Sequence, residues 1–305
     1  DAIFAENVSA IRRSSTIVAL LDGADVDSGV AWEVGFAHAL KKPIIGLRSD
    51  FRLHALPGLR VNLMLASTCD RIVTERDELL RALDVVPRPR VSTIRNVGAF
   101  YDLVATEYDD PVLHPHTTAL RQEAAATAIE LATLEKVHCS LDIGAGTSPL
   151  ISHLSARVKL VVEPSIQMIG KRRDEEDVVA ICTPIEAFQA PAQSIDRAAC
   201  VLAVDHLESP RAFLERVRPM LRIGGELIVV YQDPDEEERL RADSRFFEFE
   251  SFEHGTVFRV PSNIGALRRF EEQVPTGYEV SAQIRKASTR FRVASTVGVR
   301  CIRVA

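Results

Sequence analysis

The most specific chemical signal in the chain is Leu141-Asp142-Ile143-Gly144-Ala145-Gly146-Thr147, followed further on by Val161-Val162-Glu163-Pro164. A short apolar run reads as a buried strand, and Gly-x-Gly turns sharply, letting backbone approach a ligand where a side chain would block it. The carboxylate ending the next strand is placed to accept hydrogen bonds from the hydroxyls of a ribose. Strand, glycine turn, helix, strand and terminal acid, in that order, follow the logic of an adenosine-type cofactor site at the carboxyl end of a parallel sheet. The competing reading is a structural glycine turn with an incidental surface glutamate.

Asp205-His206 closes a later apolar run. A histidine there could deprotonate an acceptor hydroxyl or amine near neutral pH, or the pair could simply shape a pocket at a strand end. His114-Pro115-His116 lacks the Cys or carboxylate partners of a metal set and reads as a loop, so no metal is expected. Near the start, Leu20-Leu21-Asp22-Gly23-Ala24-Asp25-Val26-Asp27 is a strand running into an acidic loop, and a helix begins near Ser28. Asp27 falls at or beside the N-cap and Glu33 one to two turns in, both within reach of a cleft at the sheet's carboxyl edge. Acids at a helix start also stabilise the helix itself, which is the competing reading. Gly35 inside that helix costs about 1 kcal/mol relative to Ala, and a glycine there suits close approach of another helix or a ligand.

The elements that must position these residues alternate. Before residue 85 the pattern predicts a strand at 16–21, a helix at 29–40, strands at 43–47 and 71–73, and a helix at 75–83. Val85-Val86-Pro87-Arg88-Pro89-Arg90 bars a helix and reads as solvated, so 86–96 is expected to be a linker between domains at 1–85 and 97–305. Beyond it, helices are expected at 97–108 and 117–134, then strand 139–143, helix 149–156, strand 158–163, helix 165–172 and strand 178–182. Strand 196–203, helix 210–221 and strand 226–232 complete a doubly wound α/β pattern. The tail alternates Phe, Val, Thr and Arg over 245–259 and 278–304, like antiparallel strands, with a helix near 263–273. It is expected to cover the acceptor side of the pocket.

With 305 residues the chain can hold two domains, and 46% hydrophobic with 26% charged residues fits a globular protein. The net charge of -6 argues against a nucleic-acid partner, whose footprint is a basic stripe. No stretch approaches the ~18 apolar residues of a membrane span. The scattered Cys69, Cys139, Cys182, Cys200 and Cys301 read as small buried hydrophobes in a reducing compartment. No secretory signal opens the chain, so a cytoplasmic location is expected; the start at Asp1 without Met suggests an upstream segment.

Two family resemblances rest on these residues. Residues 141–147, 162–164, 196–203 and the run Phe213-Leu214-Glu215-Arg216-Val217-Arg218-Pro219-Met220-Leu221-Arg222-Ile223-Gly224-Gly225 resemble class I S-adenosylmethionine-dependent methyltransferases over about 97–235. Phe100-Tyr101-Asp102-Leu103-Val104 is similar to that family's leading helix, which closes over the cofactor. The resemblance implies that Asp142, Gly144, Ala145 and Gly146 line the methionine moiety and that Glu163, beside Pro164, binds the ribose. It further implies that Thr183, Pro184 and Ile185 edge the adenine, and that Ala203 and His206 face cofactor and acceptor. Methyl transfer is then an in-line displacement on an activated sulfonium and needs no protein nucleophile.

Asp27-Ser28-Gly29-Val30-Ala31-Trp32-Glu33-Val34-Gly35-Phe36-Ala37, with 3–11 and Val61-Asn62-Leu63-Met64, resembles the nucleoside 2-deoxyribosyltransferase family over about 3–83. That implies a flavodoxin-like, Rossmann-like fold in which Glu33 attacks the anomeric carbon and Asp27 manages the proton of the departing base, with Asn62 contacting the sugar or the glutamate. The side chains of such a pair lie about 5 Å apart. The family places an acid where this chain has Asn7, and its first strand and glycine loop would precede residue 1. Together the resemblances imply S-adenosyl-L-methionine as cofactor and a small-molecule partner, a nucleoside or nucleotide among the candidates. They imply a homodimer or higher homo-oligomer through the N-terminal domain, while charge and hydropathy lead to the expectation of no nucleic acid and no membrane. A noncatalytic nucleotide-binding or dimerisation module is the alternative for that domain, and cofactor binding without transfer the alternative for the larger one.

Overall fold

The computed structural model describes residues 2–23, 25–50, 61–84, 90–173, 177–207, 209–236, 245–251, 255–288, 293 and 295–305. The chain divides into Asp1–Val91 with Glu250–Val257, and Ser92–Phe249 with Phe258–Ala305. The first unit runs α1 (Ala2–Arg13), β1 (Ile17–Leu20), α2 (Ser28–Ala39), β2 (Ile44–Leu47), α3 (Leu63–Thr68), β3 (Arg71–Val73) and α4 (Arg76–Asp84). Its strands are short and β-branched, and they form a parallel sheet of order β1-β2-β3, with Ile17 opposite Ile44 and Ile45 opposite Arg71. Ile11, Leu21, Val34, Ala37 and Ile44 close the core between sheet and helices.

The second unit is larger. After β4 (Arg90–Thr93) come α5 (Val97–Val104), α6 (Pro115–Leu131), β5 (Val137–Ile143), α7 (Leu150–His153), β6 (Ala156–Glu163), α8 (Ile166–Lys171) and β7 (Val178–Cys182). Then follow β8 (Ile195–Val201), α9 (Pro210–Val217), β9 (Leu221–Gln232), β10 (Phe246–Ser251), β11 (Thr256–Pro261), β12 (Tyr278–Lys286) and β13 (Thr296–Arg303). A sheet of order β12-β13-β9-β8-β5-β6-β7 forms the body, parallel from β9 to β7 and closed at one side by antiparallel β13 and β12. Successive residues face opposite sides of a strand, and Val162, Ala198, Cys200 and Val229 pack in one cluster while Val161, Ala199, Ile228 and Val230 pack in another. Both faces are therefore covered, as parallel sheets require. β4, β10 and β11 form a smaller sheet of order β10-β11-β4.

The chain runs outward from β5 through β6 to β7 and then returns to the opposite side of β5 as β8. This reversal opens a crevice beyond the carboxyl ends of β5 and β8, where doubly wound sheets bind ligands.

Several expected elements shift. Helix 149–156 shrinks to α7 because Ala156 already opens β6, and helix 210–221 ends at Val217, since Pro219 has no N–H to continue it. β9 starts at Leu221, ahead of the expected 226, with Gly224 in the left-handed region (φ +79) near a register shift on β8. The expected tail helix is two short 3-10 turns, Ile264–Leu267 and Phe270–Gln273, parted by Arg269 at φ +53. Of the expected linker, residues 86–89 lie outside the described residues and 90–93 form β4. Cys139, Cys200 and Cys301 are buried, but Cys182 is exposed. Among the described residues no helix is long and apolar enough to cross a membrane.

Candidate functional site

Gly144 follows β5 with φ +65, and a Cβ there would stand 2.5 Å from the Cβ of Ala203, which follows β8. The turn brings the two strand ends into contact at the switch point, and only glycine permits both the conformation and the approach. Gly146 (φ +52) differs, since a Cβ on it would meet nothing within 4 Å. It borders a cavity of about 330 Å³, lined also by Asp142, Gly144, Ala145, Glu163, Pro164, Pro184, Ile185, Ala203 and His206. Of the adenine-edge residues named from sequence, Pro184 and Ile185 line the cavity. Thr183 does not, and instead donates its N–H to the Glu163 carbonyl at 3.1 Å.

Glu163 is 4% exposed. One carboxylate oxygen accepts from Gly146 N–H at 2.8 Å, the other from Ser165 N–H at 2.9 Å. Burial pushes its carboxyl above the usual glutamate range, and the two backbone donors and Arg172 oppose that shift without cancelling it. Arg172 also donates to the Gly146 carbonyl at 2.9 Å, so the glycine turn is held from both its N–H and its C=O side. Asp142, 2% exposed, sits below the turn. Leu202, just past β8, lines the same cavity with a left-handed φ of +55, and such strain in a non-glycine residue gathers at ligand sites.

Sequence reasoning passed over the aromatic wall. Tyr101 on α5 and Tyr108 beyond it line the cavity, with Phe247 and Phe249 of β10 packed behind. Asp102 fastens α5 to the start of α8, accepting from Ser165 Oγ at 2.6 Å and Gln167 N–H at 3.0 Å. Arg121 lies over the Tyr108 ring, 4.2 Å from its centroid, and pairs with Asp109 at 2.6 Å. Burial pushes the Tyr108 phenol up, with Arg121 offsetting part of that shift, so it stays protonated. The leading helix was named from sequence; its Tyr101 was not singled out, because its partner lies 105 positions away and no local pattern links them.

The Asp205–His206 pair takes a different form from the acid/base pair considered from sequence. Asp205 Oδ2 lies 3.9 Å from His206 Nε2 and accepts from Ser262 Oγ at 2.7 Å, whereas the imidazole meets Tyr101 Oη at 2.9 Å and the Pro261 carbonyl at 3.1 Å. His114 occupies the N-cap position of α6 without a side-chain capping bond and packs on Phe249, ring centroids 4.0 Å apart and planes tilted by 36°.

In the first unit Asp27 is exposed and caps α2, accepting from Gly29 N–H at 2.8 Å and Val30 N–H at 3.2 Å. Glu33 is half-buried and accepts from the Asn7 amide at 3.0 Å. Asn62 caps α3 through Met64 N–H at 2.8 Å. Among the described residues no hydrogen bond joins Asp27, Glu33 and Asn62 to one another. Among the described residues no other helix makes the close approach expected at Gly35: the residue is exposed, and an added Cβ would meet nothing within 4 Å.

Comparison with known proteins finds two family models on separate stretches of the chain. Residues 1–65 match the family model for nucleoside 2-deoxyribosyltransferase, and residues 141–229 match that for a methyltransferase domain. No curated protein matches the chain. Among solved structures, a Haloferax volcanii complex between the Trm112 methyltransferase activator and a methyltransferase aligns at 14% identity over 69% of this chain and 98% of that one, with a TM-score of 0.50. A Pyrococcus horikoshii protein aligns at 17% identity over 68% of this chain and all of that one (TM-score 0.49). An S-adenosylmethionine-dependent methyltransferase from Mesorhizobium loti aligns at 16% identity over 60% and 100% (TM-score 0.44). The sheet order and the glycine turn at the switch point thus agree with the methyltransferase-domain match over 141–229, which shares the chain with a segment, 1–65, similar to nucleoside 2-deoxyribosyltransferase.

Proposed function

We propose that the second unit transfers the methyl group of S-adenosyl-L-methionine to a small molecule, a nucleoside or nucleotide being the class to which the first unit points. The observation that carries this reading is Glu163, buried at the end of β6 with its carboxylate bonded to the Gly146 N–H. The residues fit the cofactor: the open space above Gly146 is a cradle that a side chain would fill, and Glu163 accepts from ribose hydroxyls in its charged form. Pro184 and Ile185 would edge the base. Arg121, the cation on the cavity wall beside Thr147, would meet the methionine carboxylate. The bound cofactor supplies an activated methyl sulfonium; the protein's part is to orient it and exclude water.

The first unit, in this reading, cleaves or exchanges an N-glycosidic bond. Glu33 attacks the anomeric carbon, the bond to the base breaks with its electrons moving to the base, and Asp27 supplies the proton. A specific observation favours a second reading, a noncatalytic nucleotide-binding or dimerisation module: Asp27 is engaged in capping, and Trp32 is 44% and Phe4 57% exposed on neighbouring α2 and α1. Calorimetry with S-adenosylmethionine tests the larger claim. Glu163→Ala should weaken binding more than about tenfold, ~1.4 kcal/mol, and unchanged affinity refutes the ribose assignment. Incubating the protein with nucleosides and 5′-monophosphates and assaying free base separates the two readings of the first unit. Glu33→Ala should abolish base release and leave cofactor binding intact.

A further inference from the structure

We propose that Tyr101 and His206 form a proton relay at the acceptor side of the cavity: Tyr101 takes the proton of the methyl acceptor and passes its own to His206 Nε2. The inference rests on the methyl-transfer reading above and adds to it the class of acceptor. The two side chains come from α5 and from the turn after β8, and both line the cavity next to Ala203. Their bond is 2.9 Å long. Its direction follows from the other side of the ring. His206 Nδ1 lies 3.1 Å from the Pro261 carbonyl, which can only accept, so Nδ1 carries the hydrogen. In the neutral imidazole Nε2 is then the lone pair, and the Tyr101 hydroxyl donates to it. The phenol oxygen keeps its acceptor capacity, and so can take a proton while giving one up.

The setting supports charge transfer along this line. The His206 side chain is 5% exposed and packs edge-on against Tyr101 and Phe247, with ring centroids 5.6 and 5.9 Å away. Among the described residues, the ionisable groups in contact with the ring are Tyr101 from α5 and Asp205 beside it; from the β10 and β11 side it meets Phe247 and the Pro261 carbonyl, which carry no charge. Asp205, 3.9 Å from Nε2, offers the negative charge that an imidazolium would face. In the step, the acceptor atom forms a bond to the methyl carbon and the carbon–sulfur bond breaks with its electrons going to sulfur. The acceptor's proton moves to Tyr101 Oη as the Tyr101 proton moves to His206. The positive charge thus leaves the sulfonium and ends on imidazolium. Such a relay serves an acceptor that must lose a proton as it attacks, a neutral hydroxyl or N–H, and gives nothing to a carboxylate or thiolate.

The first test needs no acceptor. In protein carrying nitrogen-15 histidine and saturated with S-adenosylhomocysteine, the resonance lost in His206→Gln should belong to an Nδ1–H tautomer with bare Nε2. Tyr101→Phe should shift that Nε2 signal. An Nε2–H tautomer overturns the proposal. The second test supplies labelled S-adenosylmethionine with nucleosides, phenols and amines. Tyr101→Phe and His206→Gln should each lower kcat by about a hundredfold, the double variant no further, with S-adenosylhomocysteine affinity within about twofold of wild type. Wild-type kcat in Tyr101→Phe, or loss of affinity together with kcat, overturns the relay. Failure of the methyl-transfer reading is distinct, because the unaltered protein would then transfer no label to any acceptor, whether or not it binds S-adenosylhomocysteine.

Discussion

The two regions that drew attention in the sequence differ in how much of the fold holds them. In the second unit the site is gathered from the ends of β5, β6 and β8, from α5 and from the turn reached through β11, and its carboxylate is buried and bonded on both oxygens to backbone N–H groups. In the first unit each candidate is held locally. Asp27 and Asn62 bond their own helix starts, and Glu33 has one amide partner on α1. Residues drawn from several elements and removed from water hold one geometry and feel strong fields, which is what chemistry requires. A local capping acid satisfies helix formation first and chemistry only if a substrate completes the set. The contrast makes the first unit the better subject for experiment.

The largest expected effect follows from the contact at the switch point. In Gly144→Val the new Cβ would meet Ala203 at 2.5 Å with the backbone at φ +65, so strain and overpacking add. Destabilisation of about 2–5 kcal/mol in chemical denaturation, with cofactor binding lost in calorimetry, is expected. Wild-type stability in that variant would show that the close packing of β5 on β8 is not what shapes the crevice.

Asp27→Asn sharpens the comparison from the other side. Asn caps a helix as well as Asp does, so thermal stability should stay within a few tenths of a kcal/mol. If Asp27 also delivers the proton to a departing base, release of free base should fall by about 10²–10⁴. Unchanged base release would confine Asp27 to capping.

Glu163 gives the pH dependence. Burial raises its carboxyl pKa, so the folded protein holds that proton to higher pH than the unfolded chain does. Its contribution to stability is therefore present in full below the ordinary glutamate value and is lost as pH rises through the raised one. In the proposed function cofactor binding runs the opposite way, because ribose hydroxyls would donate to the charged form. Affinity should fall as pH drops through the raised value, by up to about tenfold per pH unit, and Glu163→Gln should flatten the dependence while weakening binding at neutral pH. A wild-type affinity independent of pH on the acid side would remove Glu163 from the ribose contact.

What the sequence made legible follows the same divide between local and distant. The strand into Gly144 and the acid at 163 could be read because strand, turn and acid each leave a mark within a few residues. β12 and β13 could be read as strands from alternation, but the pairing of β13 to β9 could not, since register across 60 or more positions is set by packing. The run at 263–273 reads as a helix in the sequence, whereas the structure breaks it at Arg269. Tyr101 and His206 carry no mutual signal at all. A tyrosine on a leading helix is ordinary until the fold brings it to within 2.9 Å of an imidazole.

The smallest predicted effect bears on the first unit alone. Gly35 lies in α2, exposed, with open space where a Cβ would project. In an isolated helix interior Gly→Ala is stabilising by about 1 kcal/mol, through lower unfolded-chain entropy and better propensity. Gly35→Ala should therefore raise the stability of the first unit by that amount, read from the denaturation midpoint. Trp32, Phe4 and Phe36 form a ring cluster on the same two helices, with centroids 5.1 and 5.2 Å apart, so tryptophan fluorescence reports the transition directly. A stabilised variant that also keeps base release would mean that the glycine serves neither substrate nor partner. A stabilised variant that loses base release, or that changes the mass of the protein in solution, would instead place a ligand or a second copy against this face, and the first unit would then join the second as a site completed by distant residues.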